Sequence, residues 1–384
     1  MASARLIGAV IRSERLRLSW SQQGLCRGLC SVSYLSKIEQ GKAEAGRELI
    51  AELMARLSLP RETGDGELAA LTDAGYEAAF DLDARAGDRA LAALEGARER
   101  LERGLWAADY AILRAALGSG GAPEPGVPSE ALEPRARELL LGLRGEYGRL
   151  LREFPSSLSY FLAGNAACGE GRWAEALELL QRAYRLASEE GRAFIMLNAR
   201  AVMGNCYSNM YDYDRMAEHY AAARRLARAV GDADLLRDLD YNAASSALEL
   251  GRAREAYDYF SSLAEPSAME LHKLAVSCEL LGRRGEALAA LDRADDSPEV
   301  GYIDGELVRD MLRLVRMRLE NADYLRSREY GALLLDCFSR IRNGLPSGYA
   351  GFHLRWVAEW HTASRQYKEA YELLRDFPGH PPIR

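Results

Sequence analysis

The chain has 384 residues, 48% hydrophobic and 28% charged, with a net charge of −7. This is more than one compact domain usually holds, and it is apolar enough to bury a substantial core. No run of eighteen uncharged apolar residues occurs, so no segment reads as membrane-spanning. Arg5, Arg12, Glu14, Arg15 and Arg17 interrupt any secretory hydrophobic stretch at the start, and a cytoplasmic location is expected.

The charge is unevenly divided. Residues 1–60 hold nine Lys/Arg against five Asp/Glu, a balance of +4, and the remainder carries −11. A basic head on an acidic body suits phosphate contact by the head alone. The six cysteines, at 26, 30, 168, 206, 278 and 337, form no CxxC pair, so neither a zinc ribbon nor a thioredoxin-type motif fits. They read as small core residues.

In chain order, residues 5–17 predict a first helix with Leu6, Ile7, Val10, Ile11 and Leu16 as its apolar set. Ser21 and Ser31 are good N-caps for two short helices at 21–28 and 31–40, and Gly41 is placed to stop the second. Leu25, Leu35 and Ile38 point into a shared small core. Two short helices joined by a tight turn present the second to a DNA major groove. Residues 46–57 form a fourth helix, and Pro60 closes the module. Residues 63–66 read as a connector.

Amphipathic helices are expected at 67–82, 88–103 and 105–117. A loop at 118–129, flexible by its Gly/Pro/Ser composition, comes next, and then one helix over about 130–153. From there the chain repeats. Gly164…Gly171-Arg-Trp173…Ala176…Ala183 recurs as Gly204…Tyr211-Asp-Tyr213…Met216…Tyr220. It returns as Ala244…Gly251-Arg-Ala253…Ala256…Phe260, as Ala275…Gly282-Arg-Arg284…Ala287, and as Ala358…Arg365-Gln-Tyr367…Ala370. A degenerate unit surrounds Tyr324. Small residues recur where two helices must touch, and units of this size must stack to bury their apolar faces.

This spacing resembles the tetratricopeptide repeat. Residues 5–57, with Ser21-Gln22 and the run Ser33 to Gly41, resemble the Xre/Cro-type helix-turn-helix. The order of the two is similar to the RRNPP group of quorum-sensing receptors (Rgg, NprR and PlcR types). The expected fold is all-α, a helix-turn-helix domain followed by a right-handed tetratricopeptide-like α-solenoid. The expected domains are 1–62 for DNA binding, 63–129 for linker helices and degenerate repeats, and 130–384 for the repeats.

A major-groove helix needs short side chains at its start for base edges, with cations nearby for phosphates. Val32, Ser33, Tyr34, Ser36 and Lys37 lie on the start and face of the 31–40 helix. Arg12, Arg15, Arg17 and Lys42 are candidate backbone contacts. The resemblance implies a phosphate and base contact for Gln22. With few base readers per head, a homodimer on a repeated half-site is expected.

In stacked hairpins the first helix of each lines a concave groove. This places Phe161, Asn165, Asn198, Asn205, Asn209, Tyr241, Ser245, His272, Glu279, Arg309, Arg316, Arg355 and Glu359 toward a ligand. An asparagine side chain pairs with both backbone groups of an extended peptide, and arginines suit its carboxylates. The resemblance implies that Asn165, Asn198, Asn205 and Asn209 grip a peptide backbone.

No P-loop, HExxH or GxSxG is present. His353 and His361 are eight residues apart, too far for metal ligands on adjacent turns. Asp295-Asp296 fall at an expected turn near Pro298. No catalytic site, metal or cofactor is expected. The reading is a regulator that binds operator DNA and a short signalling peptide. The alternative is a repeat adaptor that sequesters a partner protein, with a secondary or vestigial DNA-binding head.

Overall fold

Serine caps open the first three helices. Ser3 starts α1 (Ala4–Arg17), Ser21 starts α2 (Gln22–Cys26) and Ser31 starts α3 (Val32–Glu39). Each hydroxyl accepts from a backbone N–H three residues on, at Leu6, Gly24 and Tyr34. Gly41 follows α3 with φ +64°, and a Cβ there would collide with Arg5. The fourth helix, α4 (Arg47–Arg56), completes a small core of Leu6, Val10, Ile11, Leu25, Leu35, Ile38, Ile50, Leu53, Met54 and Leu57.

The computed structural model describes residues 3–60, 65–118, 120–294, 303–345 and 347–377, and every regular element in them is helical. Packing divides the chain into two units. One is Met1–Ala163 with Arg185–Ile195, and the other is Gly164–Tyr184 with Met196–Arg384.

In the first unit the head is followed by α5 (Gly66–Asp81), α6 (Ala84–Gly96), α7 (Arg98–Leu101) and α8 (Ala107–Leu117). Then come α9 (Pro134–Leu143) and α10 (Tyr147–Glu153). Two expectations are revised. The helix expected at 130–153 is broken, because Gly145 turns the chain at φ +69° between α9 and α10. The helix expected at 88–103 starts earlier, because Asp83 caps it through the Ala86 N–H, and it ends at Gly96.

The head is not suspended on a free tether. Leu105 belongs to its buried core, and Val127 packs against that core. The Ser13 hydroxyl donates to the Gly126 carbonyl at 2.7 Å. Of the expected connector at 63–66, Thr63 and Gly64 lie outside the described residues. So do Asp295, Asp296 and Pro298.

Three helices, α11 (Ser157–Gly169), α12 (Trp173–Glu190) and α13 (Ala193–Asn209), contribute to both units. Next are α14 (Tyr213–Val230), α15 (Ala233–Glu249), α16 (Ala253–Ser261), α17 (Ala268–Leu280) and α18 (Arg284–Ala294). The last are α19 (Gly305–Glu320), α20 (Arg328–Gly344), α21 (Ser347–Ala363) and α22 (Tyr367–Asp376). From α14 to α22 each helix packs against the next.

Their turns share one backbone device. Gly171, Tyr211, Gly251, Gly282 and Arg365 all take positive φ, between 59° and 77°, each seven residues past its repeat's small residue. The small residue is a packing requirement. A Cβ on Gly164 would overlap Leu180, and one on Gly204 would overlap the Tyr220 ring.

One helix of this unit is enclosed on every side. From Ala268 to Cys278 each residue of α17 is buried, and its neighbours are α15, α16, α18 and α19. Such a helix is normally apolar all round. This one carries Glu270, His272, Lys273 and Ser277 inward. Glu270 closes a capping box with Ser267 and receives a bidentate pair of bonds from Arg237, at 2.6 and 2.9 Å.

Candidate nucleic-acid interface and candidate ligand pocket

The head separates its polar residues into a buried lock and an open edge. Arg15 is 7% exposed. Its guanidinium makes a fork to Glu39 at 2.6 and 2.9 Å and donates to the Trp20 carbonyl at 2.8 Å. The Gln22 amide donates to the same Glu39 carboxylate at 2.8 Å. The lock therefore ties the end of α1, the start of α2 and the end of α3 together. Arg15 is corrected accordingly. It is consumed by an internal ion pair, with a side chain only 9% exposed, and so is not presented to a phosphate.

The other residues expected to meet DNA are placed as follows. Val32, Ser33 and Lys37 are exposed along α3, and Ser36 is half-buried and accepts from the Gln40 amide. Tyr34 is half-buried, with its hydroxyl donating to the Glu44 carbonyl at 3.1 Å. Arg12 and Lys42 are exposed. Arg17 is exposed but bonded to Glu14. Val32, at 42% exposure, is an apolar residue left open at the first position of a helix.

The expected peptide residues scatter more widely. Phe161 is 7% exposed and His272 is fully buried, so both are corrected from groove-lining to packing positions. The Asn205 side-chain oxygen accepts from the Tyr220 hydroxyl at 2.6 Å, and Asn209 donates back to the Asn205 carbonyl at 2.8 Å. Asn205 thus ties α13 to α14, and the Asn209 bond stays within α13. Asn165 and Arg309 are exposed, while Asn198, Tyr241 and Ser245 are half-buried. Arg316 is held by Asp292 at 2.7 Å.

Arg355, Glu359 and Glu279 do come together, in the wall of a cavity of about 500 Å³ in the second unit. Its apolar lining includes Leu248, Val276, Phe352, Leu354, Trp356 and Leu374. At one side Arg318, with a side chain 9% exposed, bonds Glu279 at 2.9 Å and Glu359 at 3.4 Å. It also stacks on Tyr324 and Trp356, 4.8 Å from each ring centroid. Burial raises the Glu279 pKa, against the pull of Arg318. Arg318 is thus a closed hub. Glu249 opens onto the cavity at another side, where the Tyr213 hydroxyl donates to it at 3.3 Å.

Beside this cavity lies Lys273, only 4% exposed, its ammonium 2.9 Å from the centroid of the Phe352 ring. Burial lowers its pKa to about 7, against the raising effect of Glu249. His272 and His353 stack nearby with ring centroids 6.0 Å apart. Burial pushes His353 down to about 4 and His272 well below its ordinary value.

The residues missed by sequence reasoning are Glu249, Lys273, Arg318, Phe352 and Trp356. One signal was present. The chain has four lysines among fifty basic residues, and Lys273 is the only one between positions 42 and 368.

Neither a protein-family model nor a curated protein sequence matches the chain. Solved structures do match. The crystal structure of a Rap protein complexed with Competence and Sporulation Factor aligns over 81% of this chain and 96% of that one, at 15% identity and a TM-score of 0.61. The chain shares the fold of that Rap protein. NprR in complex with its cognate peptide NprX aligns at 15% identity over 80% of this chain and 99% of that one, with a TM-score of 0.37. Bacillus thuringiensis PlcR in complex with the peptide PapR7 and DNA aligns at 12% over 74% and 98%, with a TM-score of 0.32. The fold likeness rests on the Rap structure, since the other two superpose poorly as wholes.

Proposed function

We propose that the chain is a peptide-responsive transcription regulator, with α2 and α3 acting as a helix-turn-helix and the second-unit cavity as part of the peptide site. The observation that carries this reading is the Arg15–Glu39–Gln22 lock. It fixes α2 against α3 and leaves Val32, Ser33 and Lys37 open at the part of α3 that would enter a major groove. Arg12 and Lys42 add exposed cations for the DNA backbone. The charge balance of the first sixty residues, +4, agrees with this role.

A peptide as effector is supported by the cavity's combination of aromatic lining and opposed charges. The Rap protein, whose fold the chain shares, was crystallised with Competence and Sporulation Factor. Two heads, supplied by a homodimer in the cytoplasm, would read a repeated half-site. A peptide switches such a protein only by binding one arrangement better than another, and a coupling of about 1–3 kcal/mol is enough.

The test is selection of bound duplexes from a randomised DNA pool. Recovery of a repeated sequence motif is expected, with recovery lost in the Ser33→Ala, Lys37→Ala double variant at an unchanged melting temperature. A pool that stays random with the intact protein overturns the DNA reading. A second reading, a repeat adaptor for a partner protein, is favoured by Tyr367 and Tyr371. These lie one turn apart on α22 at 63% and 51% exposure.

A further inference from the structure

The cavity beside α17 contains a charge arrangement that a plain apolar peptide would leave unused. Arg318 is satisfied by Glu279 and Glu359. Glu249 and Arg355 remain, both open to solvent and neither in an ion pair among the described residues. The nearest cation to influence Glu249 is Lys273, which is almost fully enclosed and forms no direct ion pair with it. The Lys273 charge rests instead on the face of Phe352, itself a cavity-lining ring. Glu249 is thus compensated at a distance by a group that is costly to keep charged.

We propose that the cavity takes a cationic group of its ligand on Glu249, and that this group replaces the charge of Lys273, which gives up its proton to solvent. The aromatic lining of Phe352 and Trp356 would hold the apolar part of the same ligand, and Arg355 its carboxylate or a backbone carbonyl. The inference rests on the cavity being the ligand site of the regulator proposed above.

The proton balance follows from the surroundings of Lys273. Glu249 on α15 is the group that favours its charged form. His272 on α17 and His353 on α21 lie close; burial pushes His353 down to about 4 and His272 well below its ordinary value, so neither carries a charge at neutral pH. Arg318 on α19, Glu279 on α17, and Arg355 and Glu359 on α21 line the cavity, and Tyr211 and Tyr213 stand at the α13–α14 turn. A ligand cation on Glu249 removes the support for the Lys273 charge. Since Lys273 titrates at about 7, binding at that pH releases up to about half a proton. Release of a proton on binding means that affinity rises with pH across roughly 6 to 8.

Chemistry of this kind is served by lysine and not by arginine, because only lysine deprotonates near neutrality. The chain uses arginine at almost every other basic position, Lys273 being one of only four lysines.

The experiment is titration calorimetry on the full chain without DNA, in buffers of differing ionisation enthalpy. Three probes are used: N-acetyl-Phe-Arg-amide, its neutral isostere N-acetyl-Phe-citrulline-amide, and Phe-citrulline-amide with a free amino terminus. Either charged probe should bind at least tenfold more tightly than the neutral one, and the tighter of the two identifies the cation as guanidinium or amino terminus. Glu249→Gln should abolish the difference. Lys273→Met should abolish the proton release seen with N-acetyl-Phe-Arg-amide, whose guanidinium does not titrate near neutrality, and keep the preference. Equal affinities of all three probes, no binding at millimolar concentration, or proton release with that probe that survives in Lys273→Met overturns the proposal. Because no DNA is present, failure here leaves the reading of the head standing, and failure of the duplex selection leaves this result untouched.

Discussion

At the scale of single residues, the head depends on one buried pair. Arg15 and Glu39 have side chains only 9% and 2% exposed. Removing one partner of such a pair costs about 3–5 kcal/mol, because the other charge stays buried without compensation. Glu39→Ala should therefore destabilise the head by that order, read as an early transition in urea unfolding followed by circular dichroism. The glutamate lies at the last position of α3, where nothing in the local sequence marks it as buried. Its partner sits twenty-four residues earlier, and only the crossing of α1 and α3 brings the two together.

The buried histidines make a second residue-scale prediction. Burial lowers the folded pKa of His353 from 6.5 to about 4, and His272 is lowered too. Between these values the unfolded chain binds more protons than the folded one, so stability falls as pH drops from about 6.5 to 4. For the 1%-exposed His353 the loss is on the order of 3 kcal/mol. A His353→Phe variant should show a shallower fall in melting temperature over that interval. An unchanged acid slope would count against a neutral, enclosed imidazole.

At the scale of elements, the repeat was readable because its two requirements are local. A tight inter-helix turn needs a left-handed residue, and a close helix crossing needs a small one. The spacing from Gly164 to Gly171 and its successors displays both. Tyr211 and Arg365 occupy the left-handed site with side chains that disfavour it by roughly 1–2 kcal/mol. Arg365→Gly should raise stability by about 1 kcal/mol in denaturant titrations, since Arg365 is exposed and makes no side-chain bond among the described residues. Gly204→Ala should lower stability by about 1–3 kcal/mol by forcing the Tyr220 ring aside.

The cavity was less legible than the repeats. Rules about which helix face lines a groove found Arg355, Glu359 and Glu279, each on the first helix of its hairpin. They did not distinguish His272, whose helix is covered on all sides, from residues that open to solvent. Nor did they flag Asn205, whose side-chain oxygen is taken by Tyr220 on α14 and by Asn242 on α15. Burial of a whole helix is set by the elements on either side of it, and no pattern within α17 reports that.

For the whole molecule, the number of exposed cations on the head bounds the DNA contact proposed for it. Arg15 is locked and Arg17 is paired, which leaves Arg12, Lys37 and Lys42 among the candidate phosphate contacts. Three phosphates per head give a slope of log affinity against log salt near −3 for one head and near −5 for two. A filter-binding series from 50 to 200 mM salt on the selected duplex should fall between these limits. A slope near −10 would mean that DNA touches surfaces well beyond α3.

Leu105 and Val127 place a boundary where no linker reveals one. The apolar seat of the first four helices is finished by residues forty-five and more positions further along, and Ser13 is stitched to Gly126. A fragment ending at Pro60 would keep the whole of the proposed reading edge yet expose an unfilled socket on its underside. Such a fragment should melt well below the same helices carried to Leu143, so any excised version of the head must take its supporting floor with it.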